Sequence, residues 1–371
     1  GIAADNMDVK RFGDMLICPV PDPSELDGDE VEHIVRHTHN TWEHGRPLSE
    51  IRNNTVQGKS AEFVLQRLME EYSRLRYRSY DAIRNDGFRK HAPFDGVIFD
   101  ARISEAVLDE AFRRIRADVD GSPGDSGTIS VRTREFLRNS GIFTLEIKSS
   151  RLQDPRDYRT MKRKAKGERS GEDYEALCAH IRNKYDYIVY PHYCRDHRGI
   201  TNFYEYASYV KRQYPEFESC SAVRFLRRLM RTEWENACDV YTRVFFDVLS
   251  DEILIPGYVT KDSFFQEPRI RKMPSPKSGN AIYYMYPIRF GTGILEMERD
   301  GRLTGPDRSA GSASLFGFRM PPCPKCGRPL KLVETVKGEP SRHKFLYVCE
   351  SCSPVEWYEM NRIHSKNMKA R

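Results

Sequence analysis

Apolar residues at 61, 64, 65, 68, 69, 72 and 75 keep the three-and-four spacing of one helical face. Residues 60–77 are therefore predicted as a long amphipathic helix, with Gly58 and Ser60 marking its start. The pattern then tightens. Phe94-Asp95-Gly96-Val97-Ile98-Phe99-Asp100 and Ile142-Phe143-Thr144-Leu145-Glu146-Ile147-Lys148 are short, apolar and β-like. Between them, helices are expected over 105–116 and 131–139, on either side of a Gly/Ser/Asp loop at 121–127. A helix over 172–183 leads to an apolar strand over 185–190, stopped by Pro191. Strand, crossover helix and second strand predict a parallel βαβ pairing. Helices over 203–213 and 222–236 follow, then strand-like runs at 244–248, 253–259 and 282–286. Residues 1–55 read as an acidic N-terminal region, 56–299 as an α/β domain, 300–318 as a Gly/Ser-rich linker and 319–371 as a small C-terminal domain.

Composition narrows the class. The 371 residues are 39% hydrophobic and 31% charged, with 20 Tyr and 19 Phe, too aromatic for a disordered chain. No run approaches the roughly 18 to 20 apolar residues of a transmembrane helix. Residues 1–6 lack the basic and apolar regions of a signal peptide, so a cytoplasmic protein without membrane contact is expected. The net charge of +6 hides a gradient: residues 1–50 hold 4 Lys and Arg against 11 Asp and Glu. Residues 148–171 hold nine basic residues and three acidic ones, a local surplus of the kind that contacts nucleic acid.

Five of the nine cysteines are scattered, but four form Cys323-x-x-Cys326 and Cys349-x-x-Cys352. Two such knuckles let four thiolates converge on one zinc ion at about 2.3 Å. Residues 330–333 and 345–348 read as strands joined by a turn at Gly338 and Pro340, giving a zinc ribbon. With four thiolates the coordination is full, so this zinc is structural rather than catalytic.

Chemistry is expected around Glu146. On a strand, Glu146 and Lys148 share a face while Leu145 and Ile147 pack on the other. A carboxylate and an ammonium at the end of an apolar strand cost desolvation, and the fold gains little from them. Asp95 interrupts a second apolar strand. Two acids on neighbouring strands suit a hard cation such as Mg²⁺ or Mn²⁺, and the lysine can orient a water for attack on a phosphodiester.

Phe94-Asp95-Gly96-Val97-Ile98 followed by Leu145-Glu146-Ile147-Lys148-Ser149 resembles the PD-(D/E)XK nuclease superfamily. The resemblance covers about residues 56–195, extending to Val259 if the later strands belong to it. It implies an α/β fold with a restriction-endonuclease-like mixed sheet flanked by helices. It also implies Asp95 and Glu146 as Mg²⁺ ligands, Lys148 as the catalytic lysine, and Glu62 on the preceding helix as a further acid of the metal site. Phe94 stands where many members have Pro, and 50 residues separate Asp95 from Glu146, so 103–140 reads as an insertion in the β-meander.

Arg151, Arg156, Arg159, Lys162, Arg163, Lys164 and Lys166 follow this strand directly and are expected to straddle substrate phosphates. Arg224, Arg227, Arg228 and Arg231 form a second basic stripe, which a simple surface helix explains equally well. Other motifs carry less. Gly124-Asp125-Ser126-Gly127 reads as a turn, and Gly58-Lys59-Ser60 lacks the earlier glycine of a P-loop. The groups His33/His37/His39 and His192/Cys194/His197 are read as ordinary polar positions. The expected activity is a Mg²⁺-dependent DNA endonuclease of the restriction or phage-defence type. A non-catalytic nucleic-acid-binding adaptor and an RNA-directed nuclease are the alternatives. Protein partners of a defence system and a second copy of the chain are its expected associations.

Overall fold

Residues of the acidic N-terminal region form β1 (Lys10–Phe12), β2 (Met15–Pro19) and α1 (Gly28–Thr41). Helix α2 (Leu48–Tyr72) then buries Ala61, Val64, Leu65, Leu68 and Met69, the predicted apolar face. It starts ten residues before Gly58 and ends earlier than the spacing suggests. Ser73 is extended, and its hydroxyl donates to the Met69 carbonyl at 2.8 Å. The next residues alternate inward and outward as β3 (Leu75–Ser79), followed by the short α3 (Tyr80–Ile83). The end of the predicted helix is thus a strand.

The computed structural model describes residues 7–41, 47–152, 169–196, 198–266, 268–275, 279–300, 323, 325–328, 330–335, 344–349, 351–352 and 357–359. Residues 301–318 of the linker, the turn at Gly338 and Pro340, and His197 lie outside them, as do Arg156, Arg159, Lys162, Arg163, Lys164 and Lys166. Two compact units divide the chain, and neither is continuous in sequence. The first comprises Gly1–Tyr187, Cys238–Thr260 and Pro287–Pro306; the second comprises Ile188–Ala237, Lys261–Tyr286 and Asp307–Arg371.

In the first unit, β4 (Gly96–Asp100) pairs antiparallel with β3, and β5 (Phe143–Arg151) antiparallel with β4. The stretch between β4 and β5 folds as α4 (Glu105–Gly121) and α5 (Val131–Asn139), each N-capped by a serine hydroxyl, from Ser104 and Ser130. After β5 comes α6 (Gly171–Lys184), opened by a capping box between Ser170 and Asp173. The parallel neighbour of β5 is not the expected strand over 185–190. That strand, β6 (Asp186–Val189), belongs to a separate three-stranded sheet. The place beside β5 is taken by β7 (Val240–Asp247), reached after α7 (Phe203–Gln213) and α8 (Ala222–Asn236). With β8 (Glu252–Ile255), the order across the sheet is β1-β2-β8-β7-β5-β4-β3, and β9 (Tyr258–Thr260) pairs with β7. The result is a mixed sheet flanked by helices. Leu145, Val240, Val244, Phe246 and Ile253 pack against the α2 face in its main core.

In the second unit, α9 (Lys261–Phe265) precedes a hairpin of β10 (Ile270–Ser275) and β11 (Gly279–Pro287). A three-stranded antiparallel sheet follows, made of β12 (Lys331–Thr335), β13 (Lys344–Val348) and β14 (Trp357–Glu359). Its third strand goes beyond the two-stranded ribbon that the sequence suggests. No described helix is long and apolar enough to cross a membrane.

Candidate active site and cysteine cluster

Pairing of β4 with β5 stops at Gly96↔Leu145. One residue earlier, Asp95 reaches past the end of the ladder. Its N–H donates to the Leu145 carbonyl at 3.1 Å, and its Oδ2 accepts from Ile147 N–H at 2.5 Å. The backbone between Glu146 and Lys148 is therefore tied to the Asp95 carboxylate. Gly96 makes this approach feasible, because a Cβ there would lie 2.3 Å from the Tyr77 ring and 2.6 Å from the Arg78 carbonyl. The Tyr77 hydroxyl in turn donates to the Asp95 carbonyl at 3.1 Å.

Glu146 and Lys148 are mostly buried, at 22% and 27% exposed, and their side chains bond to each other. Burial pushes the Asp95 carboxyl well above the usual carboxylate range, and the neighbouring Glu146 charge pushes it further, with Lys148 acting against both. Two carboxylates from neighbouring strands, with one lysine bonded to Glu146, form a hard-oxygen donor set. That chemistry fits a divalent cation of the Mg²⁺ type.

Glu62 sits on α2, 18% exposed, and forms an ion pair with Lys59 at 3.5 Å. Burial, opposed by Lys59, raises its carboxyl to about 7. Lys59 also bonds Asp81 at 2.6 Å and Glu30 at 3.1 Å. The Gly58-Lys59-Ser60 tripeptide is therefore mid-helix, with its ammonium held by carboxylates. Among the described residues, Glu62 does not close with Asp95 and Glu146 into a group of three donors within 4.8 Å of one another.

Two supporting residues escape sequence reasoning. Arg243 stands opposite Lys148 in the β5–β7 register. It is 5% exposed, donates to the Asp186 carbonyl at 2.5 Å and to Ser150 Oγ at 3.1 Å, and fixes the end of the strand. Its signal is a lone basic residue in a strand whose other positions are mostly apolar. Gln57 on α2 donates to Ser149 Oγ at 2.9 Å and accepts from Arg151 Nε at 2.7 Å. Of the seven basic residues expected to meet phosphate, Arg151 is the one described, and it is exposed. At the far end of the segment, Arg169 faces inward and pairs with Asp247 and Glu252. In the Gly124–Gly127 stretch, His91 N–H donates to the Asp125 carbonyl and Gly127 N–H to the His91 carbonyl, which makes it a structural turn.

In the second unit the four cysteines do come together. Cys323 and Cys352 Sγ atoms are 3.7 Å apart, Cys326 and Cys349 Sγ atoms 3.5 Å apart, and all four lie within 4.8 Å of one another. A disulfide needs about 2.05 Å. A tetrahedron with Zn–S bonds of about 2.3 Å has edges of about 3.8 Å, which these spacings match. Gly327, at φ +71°, lets the first knuckle fold back so that its N–H reaches the Cys323 carbonyl at 2.9 Å. Burial would raise the Cys323 thiol, but backbone N–H groups of Cys326 and Lys325 and bonds from the Cys349 and Cys326 thiols bring it down to about 6, while those two thiols push Cys352 up to about 12. A thiol that ionises readily is a ready metal ligand. The cluster can hold a metal ion such as zinc.

Comparison with protein-family models, with curated proteins and with solved structures finds no match to this chain.

Proposed function

We propose that this chain is a Mg²⁺-dependent nuclease that hydrolyses phosphodiester bonds in DNA, with a restriction-endonuclease-like core and a zinc ribbon. The observation that carries the reading is the junction of β4 and β5, where the Asp95 carboxylate holds the backbone between Glu146 and Lys148. The succession of α2, β3, β4, β5 and α6, a three-stranded antiparallel meander interrupted by α3, α4 and α5 and followed by a helix, supports it as well, with the parallel strand β7 added after β6, α7 and α8. Asp95 and Glu146 would hold the cation, which supplies charge neutralisation to the phosphoryl oxygens. Lys148, released from Glu146 as the carboxylate turns to the cation, would orient the attacking water. Arg243 and Tyr77 keep the two strand ends in place while this happens.

The test is cleavage of plasmid DNA and of RNA with Mg²⁺ or Mn²⁺, comparing wild type with Glu146→Ala and Lys148→Ala. The variants are expected to lose roughly 100-fold or more of the activity. Equal cleavage by all three proteins would remove the assignment from these residues. The direct Lys148–Glu146 bond also favours a second reading, a self-neutralised site in a nucleic-acid-binding adaptor. In that case the wild type binds nucleic acid and cuts neither substrate.

A further inference from the structure

Charge is divided unequally between the two units. The first holds 35 Lys and Arg against 40 Asp and Glu, a net of −5; the second holds 25 against 14, a net of +11. Within the second unit, α8 carries Arg224, Arg227, Arg228 and Arg231, all exposed. The opposite face of the helix buries Phe225, Leu226, Leu229 and Met230, so the arginine stripe is fixed in place by core packing.

This stripe works against its own helix. The pairs 224/227, 224/228, 227/231 and 228/231 all fall at the three- or four-residue spacing where like charges destabilise. Arg224 lies in the first turn, where a cation opposes the helix dipole, and that turn has no acidic residue. Arg228 has a structural use: it donates to the Glu216 carbonyl at 3.0 Å and covers the Phe217 ring. Arg224 and Arg227 make no ion pair among the described residues. All four are arginine, whose planar fork matches a phosphate better than the point charge of lysine does. From Arg224 to Arg231 the helix rises about 10.5 Å, the axial span of roughly three phosphates on one strand.

We propose that the arginine face of α8 is a docking surface for the phosphodiester backbone of nucleic acid, separate from the Asp95–Glu146–Lys148 site. It deepens the nuclease reading by giving the substrate a second seat, but binding there needs no cation and no cleavage. The two ideas can therefore fail independently.

The experiment measures binding of a fluorescein-labelled 30-base-pair duplex and a 30-nucleotide single strand to the full chain, without divalent cations, from 50 to 200 mM salt. It compares wild type, Arg224→Gln/Arg227→Gln/Arg231→Gln, and a control that removes equal charge from the first unit, Arg102→Gln/Arg113→Gln/Arg132→Gln. The α8 variant is expected to weaken duplex binding at least tenfold at 100 mM salt. It should also lower the slope of log K against log salt by about 3 for the duplex and about 2 for the single strand. The control should leave both within twofold. Unchanged zinc content and melting temperature show that the α8 variant is folded. No binding by the wild type would overturn the proposal, as would equal losses in variant and control, or displacement of the oligonucleotide by polyglutamate at matched charge. Binding that is lost in the α8 variant while the wild type cuts nothing would uphold this surface and sink only the nuclease reading.

Discussion

In the first unit, the acids that meet at the end of β4 and β5 come from positions 95 and 146, and only strand pairing brings them together. In the second, four thiols meet because each pair is separated by only two residues, so that one sheet has only to bring two turns together. The carboxylates are hard, partly buried and short of positive charge; the thiols are soft and spaced for a tetrahedron. The contrast separates two uses of a cation. On the proposed reading, four thiolates would close the coordination of a zinc ion and so support folding, whereas the carboxylate pair would leave positions on its cation open to a substrate.

The largest expected effect tests the thiol half. The purified protein should carry about one zinc per chain, and Cys323→Ser or Cys349→Ser should lose it. Binding of a structural zinc is worth roughly 10 to 16 kcal/mol in small domains, so the region around β12 and β13 should lose its amide-exchange protection. The protection of β5 and β7 should persist, because their core does not include Cys323, Cys326, Cys349 or Cys352. A wild type free of metal after purification would remove the zinc assignment.

Glu233 sharpens the other side of the comparison, because it is a buried acid that is satisfied rather than exposed to a second acid. It is 3% exposed, accepts from the Tyr206 hydroxyl, and accepts from His192 N–H at 2.8 Å. Burial raises its carboxyl from 4.5 to about 7, with those donors acting in the opposite direction. The folded-state value is the higher one, so its stabilisation is complete below pH 4.5 and is lost as pH rises through 7. Over that window wild type should lose about 3 kcal/mol that Glu233→Gln does not lose. Unfolding by urea across pH 4 to 8 checks this, and parallel curves for the two proteins would refute it.

How far each site is legible in the sequence follows from the same contrast. The Cys-x-x-Cys pairs are local, and their spacing alone predicts the cluster. Helices α5, α7 and α8 are equally local, and their ends fall where the apolar spacing puts them. Asp95, Glu146 and Lys148 can be picked out as polar interruptions of apolar strands, but nothing local shows which strands are neighbours. Tyr187-Ile188-Val189 in β6 looks as suitable beside β5 as β7 does. The choice is settled by long-range pairing that a single sequence does not display. Leu75 continues the three-residue step from Tyr72, so β3 looks like the end of a helix until the extended Ser73 breaks it. The short β1 and β2 are hidden in an acidic stretch whose charge dominates its appearance.

Gly96 is the next prediction in size. Its missing Cβ is what lets Tyr77 and the Arg78 carbonyl lie against the strand end, so Gly96→Ala must push apart β3 and β4. A cost of roughly 1 to 3 kcal/mol is expected, with cleavage falling further than stability because Asp95 shifts with its neighbour. Alanine tolerated in both melting temperature and activity would mean that the strand end is not held as tightly as these contacts imply.

The smallest effect on stability is also the most discriminating. Asp95→Asn keeps the shape of the side chain and still offers an oxygen to the Ile147 N–H, but removes the buried charge that faces Glu146. Without added cation the variant should therefore melt a few degrees above wild type at pH 8, because the native state no longer has to ionise a carboxyl that burial disfavours. The gain should vanish at low pH, where the wild-type carboxyl is neutral as well. Added Mn²⁺ should reverse the order, stabilising wild type by mass action and leaving the variant unmoved. If both proteins respond equally to Mn²⁺, the cation is held elsewhere, and the raised Asp95 carboxyl is a cost of packing rather than a mark of a site.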